Sequence, residues 1–311
     1  MKVRVAVPDL VSNSYFPVIA AVELGFFERE GLDASLEVVF PVPAAFVALR
    51  EGGVDFVATS AHGALWAFPR WEGATVLCAL SQGMYWFLVV RRDLPIARGD
   101  LSALSGLRLA AAPGVDVGLI MMLEAAGIDL DAQGITVGLP PQGVPAGLSF
   151  GVAAAQALIR GEVDGVWANG MAAEVAVSSG VARCVIDVRR GDGPAEAFHY
   201  TGPALTTTER FADSHPEECR AAVVAIVKTQ KALKADLNLV DEVGKRLFPE
   251  REAALIRPLI ERDLPYYDAR IAPQLVSGMN AFAVRAGLLE GGPVAYEDIV
   301  ATQFRSLWQC E

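Results

Sequence analysis

Two short loops carry side chains suited to recognising a small molecule. They are Ser60-Ala61-His62 in the first half of the chain and Trp167-Ala168-Asn169 in the second. A hydroxyl, an imidazole, an indole and an amide together offer hydrogen-bond donors, hydrogen-bond acceptors and a flat apolar face. These residue types favour the binding of a small neutral or aromatic ligand.

Each loop follows a copy of the same sequence pattern, A-L-x-x-G-x-V-D, which occurs at residues 48–55 and 157–164. The pattern indicates a helix stopped by glycine, followed by a short apolar strand and a loop. Because ligands bind at the carboxyl ends of strands in open parallel sheets, we expect one ligand loop in each of two lobes, facing each other across a cleft. The alternative is that the pattern only reflects how α/β proteins join helices to strands.

The composition favours a globular chain with two cores. The 311 residues are 53% hydrophobic and 20% charged, and the formal net charge is −11. A chain of this length is long enough for two modest lobes. With no basic run, the negative charge argues against nucleic acid as a partner.

Metal and cofactor chemistry has little support in the sequence. The four cysteines, Cys78, Cys184, Cys219 and Cys310, are far apart and form no C-x-x-C pair. The three histidines are also scattered. We therefore expect neither a metal site nor a cofactor.

The start of the chain reads directly as a strand at residues 3–7, without a charged and apolar leader. As written, the sequence predicts a cytoplasmic protein. It would be periplasmic or extracellular if a leader had been trimmed. No run reaches the roughly 18 apolar residues of a spanning helix.

The order of strand and helix patterns predicts an α/β fold of two lobes. Strands and helices alternate through the first 200 residues, which implies mostly parallel sheets flanked by helices. Strand signals end near residue 208, and a helical C-terminal tail follows. We expect lobe one to comprise residues 1–91 and 201–311, including the tail, and lobe two to comprise residues 92–200.

A longer motif points to a family. Residues 17–32 read P-x-x-x-A-x-E-x-G-F-F-E-x-E-G-L, and residues 100–110 read D-L-x-x-L-x-G-x-x-x-A. Together with the repeated pattern, these segments resemble type II periplasmic binding proteins, specifically the nitrate, alkanesulfonate, taurine and thiamine-pyrimidine binding proteins of ABC importers. The resemblance covers most of the first 200 residues.

The resemblance implies a small ligand clamped between two lobes by hinge closure. It also implies which loops bind. In lobe one the candidates are Asn13, Ser14, Tyr15, Ser60, Ala61 and His62, followed by Met84, Tyr85 and Trp86; in lobe two they are Gly114, Val115, Asp116, Trp167 and Asn169; Tyr200 lies on the returning hinge.

The charge of these loops limits the class of ligand that is expected. None of the candidates is Arg or Lys, so a hard anion is disfavoured and a neutral, aromatic or heterocyclic ligand is expected. Tyr15, Tyr85, Trp86 and Trp167 are candidates for stacking, although Trp86 is a core residue in the alternative interpretation. Asp116 either binds the ligand or simply caps its helix.

A solute receptor is the favoured function, with a membrane permease as its partner and a monomer as its state. The alternative is a cytosolic lyase or synthase on the same scaffold, acting on a small aromatic or heterocyclic acid. His62 would then be the acid/base, with Asp116 or Tyr85 positioning the substrate. Desulfinase-type relatives need a cysteine where this chain has Ser14, and a lone serine is a weak nucleophile.

Overall fold

The computed structural model describes residues 1–145 and 148–309 of the chain. It divides into two compact units, which we call unit 1 (Met1–Gly83 and His199–Glu311) and unit 2 (Met84–Phe198). The first crossing therefore comes earlier than the expected boundary at residue 91. The reason is that the strand Phe87–Arg91 pairs inside the sheet of unit 2.

Within residues 1–145 and 148–309, ten β-strands form one five-stranded sheet in each unit. They are β1 (Lys2–Val7), β2 (Asp33–Val38), β3 (Phe56–Ser60), β4 (Ala74–Ala79), β5 (Phe87–Arg91), β6 (Arg108–Ala111), β7 (Thr136–Gly138), β8 (Gly165–Ala168), β9 (Ala182–Asp187) and β10 (Pro203–Thr208).

Twelve α-helices flank the sheets in the described part of the chain. They are α1 (Phe16–Glu23), α2 (Phe26–Arg29), α3 (Val42–Arg50), α4 (Asp116–Ala125), α5 (Phe150–Ile159), α6 (Gly170–Ser178), α7 (Glu209–Ser214), α8 (Pro216–Ala235), α9 (Asn238–Leu247), α10 (Glu250–Asp263), α11 (Pro273–Arg285) and α12 (Tyr296–Ile299). Within these residues, no helix combines the length and apolar character needed to cross a bilayer.

Both sheets are mixed, because each contains one antiparallel strand. The order in unit 1 is β2-β1-β3-β10-β4, and β10 runs antiparallel to both of its neighbours. The order in unit 2 is β7-β6-β8-β5-β9, and β5 is the antiparallel strand. Each antiparallel strand is the first strand after the chain passes from one unit to the other. The alternation of strands and helices within each half of the sequence therefore did not reveal its direction.

The repeated sequence pattern forms the same structure in both units. Asp55, just before β3, accepts a hydrogen bond of 2.7 Å from the backbone N–H of Arg4 in β1. Asp164, just before β8, accepts one of 3.0 Å from the backbone N–H of Arg108 in β6. In both cases the aspartate binds the start of its strand to the neighbouring parallel strand. This hydrogen bond helps to fix the position of the loop at the carboxyl end of the same strand.

The helical tail packs on the sheet of unit 1. In α8, Gln230 donates from Nε2 to the backbone oxygens of Ala79 and Leu80, at 3.1 and 2.9 Å. Near the end of the described chain, Trp308 donates from Nε1 to the oxygen of Leu77 at 2.9 Å. These bonds fasten the tail to β4 of unit 1.

Candidate functional site

Four segments of unit 1 meet at the carboxyl edge of its sheet. β1, β3 and β4 are parallel, so the segments that follow them start at the same edge, where β10 begins. The backbone N–H of Ala61 donates to Gly202 at 3.0 Å, and Ser81 donates from Oγ to the oxygen of Ser14 at 3.2 Å. The sheet thus brings together residues that are nearly 200 positions apart in sequence.

Three side-chain oxygen atoms at this edge are buried without a hydrogen-bond partner in the described part of the chain. Asn13, Ser14 and Ser60 have no exposed surface. Within the described residues, Asn13 Oδ1, Ser14 Oγ and Ser60 Oγ have no hydrogen-bond partner. Buried polar atoms in native proteins are nearly always paired, so this cluster needs an explanation beyond folding.

The tail fixes the orientation of Asn13. Tyr267 donates its hydroxyl to the backbone oxygen of Asn13, and Asn13 Nδ2 donates to Asp263 Oδ2. Because the amide nitrogen faces a carboxylate, the remaining atom is the acceptor Oδ1. Sequence reasoning missed Asp263 and Tyr267, since only the return of the tail brings them to this edge.

Asp9 was also missed, although it lies in the same loop. The residue is partly exposed, but its Oδ1 is shielded from solvent and has no partner within the described chain. Burial raises the pKa of Asp9 to about 6, and hydrogen bonds with the Tyr15 side chain and the Val11 backbone partly offset this effect. An acidic residue two positions after a predicted strand was the signal that could have identified it.

His62 is enclosed by the tail. It is fully buried, and its Nδ1 lies 2.9 Å from Thr201 Oγ1 in a hydrogen bond. Trp66 and Phe282 pack edge-on against its ring, with centroids 5.5 and 5.3 Å away. Phe282 belongs to α11, so His62 is held by packing as well as by its hydrogen bond.

Tyr200 joins the same cluster from the returning segment. Its ring stacks on Phe282 with centroids 4.9 Å apart, and its hydroxyl accepts a hydrogen bond from Arg285. Tyr200 is 2% exposed. Both contacts come from α11, which indicates a structural role in unit 1.

In unit 2, Asp116 caps its own helix. Its Oδ1 accepts hydrogen bonds of 2.9 Å from the backbone N–H groups of Gly114 and Val117 at the start of α4. Burial raises the pKa of Asp116, and these bonds oppose that shift. The carboxylate therefore occupies donors that an anionic ligand would need, in line with the capping alternative.

The aromatic candidates of unit 2 form a core cluster. Trp167 is fully buried and donates from Nε1 to the oxygen of Val115 at 3.1 Å. Trp86 packs between Trp167 and Tyr85, with centroid distances of 6.0 and 5.1 Å. A Cβ added at Gly118 would lie 2.5 Å from Trp86, so α4 rests directly on this indole. The structure places both tryptophans in the interior of unit 2 and not on an open stacking face.

The remaining candidates of unit 2 also have structural partners. Asn169 is the N-cap of α6, where its Oδ1 accepts from the N–H of Ala172 at 3.1 Å. Met84 is fully buried, and its backbone N–H donates to the oxygen of Phe198 at 3.0 Å. These contacts account for both residues within the fold.

Comparison with known proteins gives the family. The sequence matches the profile of the NMT1/THI5-like family over residues 12–236, which is most of the chain. The chain belongs to the NMT1/THI5-like family. Among curated proteins, no sequence matches significantly.

Solved structures share the fold of this NMT1/THI5-like protein at low identity. A protein of Bordetella bronchiseptica RB50 superposes with a TM-score of 0.75 at 20% identity, covering 98% of this chain and 96% of that one. The alkanesulfonate-binding protein SsuA from Xanthomonas axonopodis pv. citri, bound to MOPS, gives 0.73 at 14%, covering 96% and 98%. A variant of the enzyme DSZB, in complex with biphenyl-2-sulfinic acid, gives 0.67 at 16%, covering 98% and 97%. The predicted family resemblance and fold class are confirmed.

One cation lies where the sequence analysis expected none. Arg189 is the second residue after β9, which is parallel to β6 and β8, so it lies at the carboxyl edge of the sheet in unit 2. It is 5% exposed, and its guanidinium carbon lies 5.8 Å from the centroid of the Tyr85 ring. Arg189 was not among the candidates predicted from the sequence, and the Arg-Arg pair after a strand pattern was the signal that could have identified it.

No group of three potential metal ligands occurs within residues 1–145 and 148–309. Cys78 lies in β4 and Cys219 in α8; burial raises the pKa of both thiols, to about 12 for Cys219. Cys184 lies in β9. Cys310 is outside the described residues.

Proposed function

We propose that this NMT1/THI5-like protein is a substrate-binding receptor for a small organic molecule, delivering its ligand to the permease of an ABC importer. The similarity to the alkanesulfonate-binding protein SsuA over nearly the whole chain supports the receptor class. The observation that carries the proposal is the group of unpartnered polar atoms of Asn13, Ser14 and Ser60 at one sheet edge.

The energetics of this group favour binding. Each buried polar atom without a partner costs about 1–3 kcal/mol relative to a paired one. Three such atoms at the carboxyl ends of neighbouring strands are a considerable cost for a fold that could use apolar residues there. A ligand with complementary polar groups would remove this cost, and the gain would appear as binding free energy.

The ligand that we propose is a flat aromatic or heterocyclic molecule. Tyr15 follows Ser14 in the loop after β1 and is 3% exposed, so this loop carries a buried aromatic side chain as well as the unpartnered hydroxyl. Pairs of aromatic rings contribute about 0.5–1.5 kcal/mol beyond the area that they bury. A ring with polar substituents would use both features of this loop.

A thermal-shift screen followed by calorimetry tests the receptor. A ligand at a hundred times its dissociation constant should stabilise the protein by about 2.7 kcal/mol, which raises the Tm by several degrees. The Ser14→Ala variant should bind each hit more weakly than the wild type. Ser35→Ala is the matched control, because Ser35 is exposed on β2 in the same unit. Equal affinities in the wild type and both variants would contradict the proposed site.

The second candidate function is an enzyme on this scaffold, favoured by the similarity to DSZB. His62 would be its acid/base, but the hydrogen bond to Thr201 and the packing of Trp66 and Phe282 tie it into the fold. Each hit should therefore be recovered unchanged after prolonged incubation with the protein. Recovery of a product, lost in His62→Gln, would replace the receptor by the enzyme.

A further inference from the structure

The unpartnered atoms of unit 1 differ in what they can bind. Asp9 Oδ1 and Asn13 Oδ1 only accept hydrogen bonds, whereas the hydroxyls of Ser14 and Ser60 accept or donate. A ligand that satisfies all four atoms must therefore bring N–H or O–H donors. Anionic head groups only accept hydrogen bonds, so they would leave the carboxylate oxygen of Asp9 and the amide oxygen of Asn13 unpaired.

Asp9 and Ser60 both lie at the carboxyl edge of the sheet in unit 1. The parallel strands β1 and β3 are paired through Ala6 and Val57, Asp9 comes two residues after the end of β1, and Ser60 is the last residue of β3. The loop that starts at Asp9 also carries Asn13 and Ser14.

The charge of Asp9 has no counter-ion among the described side chains that influence it. Burial is the largest cause of its raised pKa, and the opposing effects come from Tyr15 and Val11, which are uncharged; no Lys or Arg of the described chain contributes. Asp9 Oδ1 has no hydrogen-bond partner within the described chain. A shielded carboxylate without a cation is costly unless something else supplies the opposite charge.

We propose that Asp9 binds a protonated amine, amidine or amino-heterocycle of the ligand, with Asn13 Oδ1 accepting a second N–H. The inference rests on the proposed receptor function and specifies the head group of its substrate. A cation paired with a carboxylate and donating two hydrogen bonds is recognised both by its charge and by its geometry. Asp9 is then the specificity-determining residue, and the ring that carries the head group packs near Tyr15.

Probes that differ in charge but share a single six-membered aromatic ring provide the test. The full chain is titrated calorimetrically with benzamidine, benzylamine and 4-aminopyridine, and separately with benzamide, benzoate and benzenesulfonate. The screen extends to larger rings with the same six head groups. We expect the cationic probes to bind at least about ten-fold more tightly than the anionic ones, a difference of about 1.4 kcal/mol.

The Asp9→Asn variant keeps the shape of the side chain and removes its charge. It should weaken the cationic probes at least about ten-fold and change benzamide by less than about two-fold, because only the charged pair is lost. Asp33→Asn is the matched control, since the Asp33 side chain is 72% exposed. If Asp9→Asn does not fold, as judged by its melting curve, Asp9→Ser is used in its place.

The outcomes separate this inference from the receptor proposal. If anionic or neutral probes bind and cationic ones do not, or if Asp9→Asn binds the cations as well as the wild type, the head-group assignment is wrong and the receptor stands. If no probe of any charge binds, both proposals fail. Anion binding that is lost in Arg189→Met would place the recognised charge in unit 2 and also overturn the inference.

Discussion

The carboxyl edges of the two sheets differ in how their polar groups are used. In unit 2, the carboxylate of Asp116 caps α4, the amide of Asn169 caps α6, and the indole N–H of Trp167 binds a backbone oxygen. In unit 1, Ser60 ends β3 and Ser14 lies in the loop after β1, yet their hydroxyls have no partner within the described chain. These polar groups at the edge of unit 2 are paired within the fold, whereas the hydroxyls at the edge of unit 1 are left for a ligand to bind.

The difference arises where the repeated pattern ends. After β8 the chain enters a regular α-helix with an asparagine cap, and this geometry pairs the side chain with the helix. After β3 it enters a 3₁₀ helix at residues 61–66, and Ser60 makes no side-chain cap. The same residue class at the same position is therefore structural in one unit and available for binding in the other.

The largest expected effect tests whether the aromatic cluster of unit 2 is core. Trp167→Ala should lower the free energy of unfolding by about 3–5 kcal/mol, because it removes a fully buried indole. Denaturant unfolding measures the loss. Trp167→Phe is the control and should retain most of the stability. A small loss in Trp167→Ala, accompanied by lost ligand affinity, would make Trp167 a binding surface after all.

Asp9→Asn should stabilise the ligand-free protein at neutral and alkaline pH but not at acidic pH. The folded pKa of about 6 lies above the ordinary value of 3.8, so the folded state loses stability as pH rises through this window. Removing the carboxyl should therefore gain up to about 3 kcal/mol at pH 8 and nothing at pH 3. Melting curves at both pH values give the result. A loss of stability at pH 8 would show that the carboxylate supports the fold.

Sequence patterns predicted the fold because its signals are local. The repeated motif, the glycine-rich helix ends and the helical tail all appear in short windows, and each has its expected place in the structure. The antiparallel strands β5 and β10 escaped prediction because strand direction depends on where the chain enters a sheet.

The candidate site was predictable only in part, for the same reason. The loop with Asn13 and Ser14 follows a visible strand, but its surroundings come from Asp263 and Tyr267, some 250 residues away. Conversely, whether Asn169 binds or caps depends on the first turn of α6. The sequence could therefore indicate loops that follow strands, but it could not tell which polar groups the fold itself would use.

Loss of a cap should have a moderate effect confined to stability. Asn169→Ala should lower the free energy of unfolding by about 1 kcal/mol, because the N–H of Ala172 loses its acceptor. Ligand affinity should stay unchanged. Asn169→Asp keeps a capping oxygen and should restore most of the stability in the same unfolding experiment. A drop in affinity for Asn169→Ala would show that the edge of unit 2 also binds.

The Ser60→Ala variant has the smallest expected effect on stability, and it tests the contrast between the two sheet edges most directly. Ser60→Ala removes a buried hydroxyl without a partner, so the free energy of unfolding should stay constant or rise by up to about 1 kcal/mol. Ligand affinity should fall. Ser81→Ala is the contrasting variant, because that hydroxyl donates to the oxygen of Ser14, and its loss should destabilise the fold by about 1 kcal/mol. If Ser60→Ala destabilises as much as Ser81→Ala, the hydroxyl of Ser60 is as structural as the groups of unit 2, and the contrast between the edges disappears.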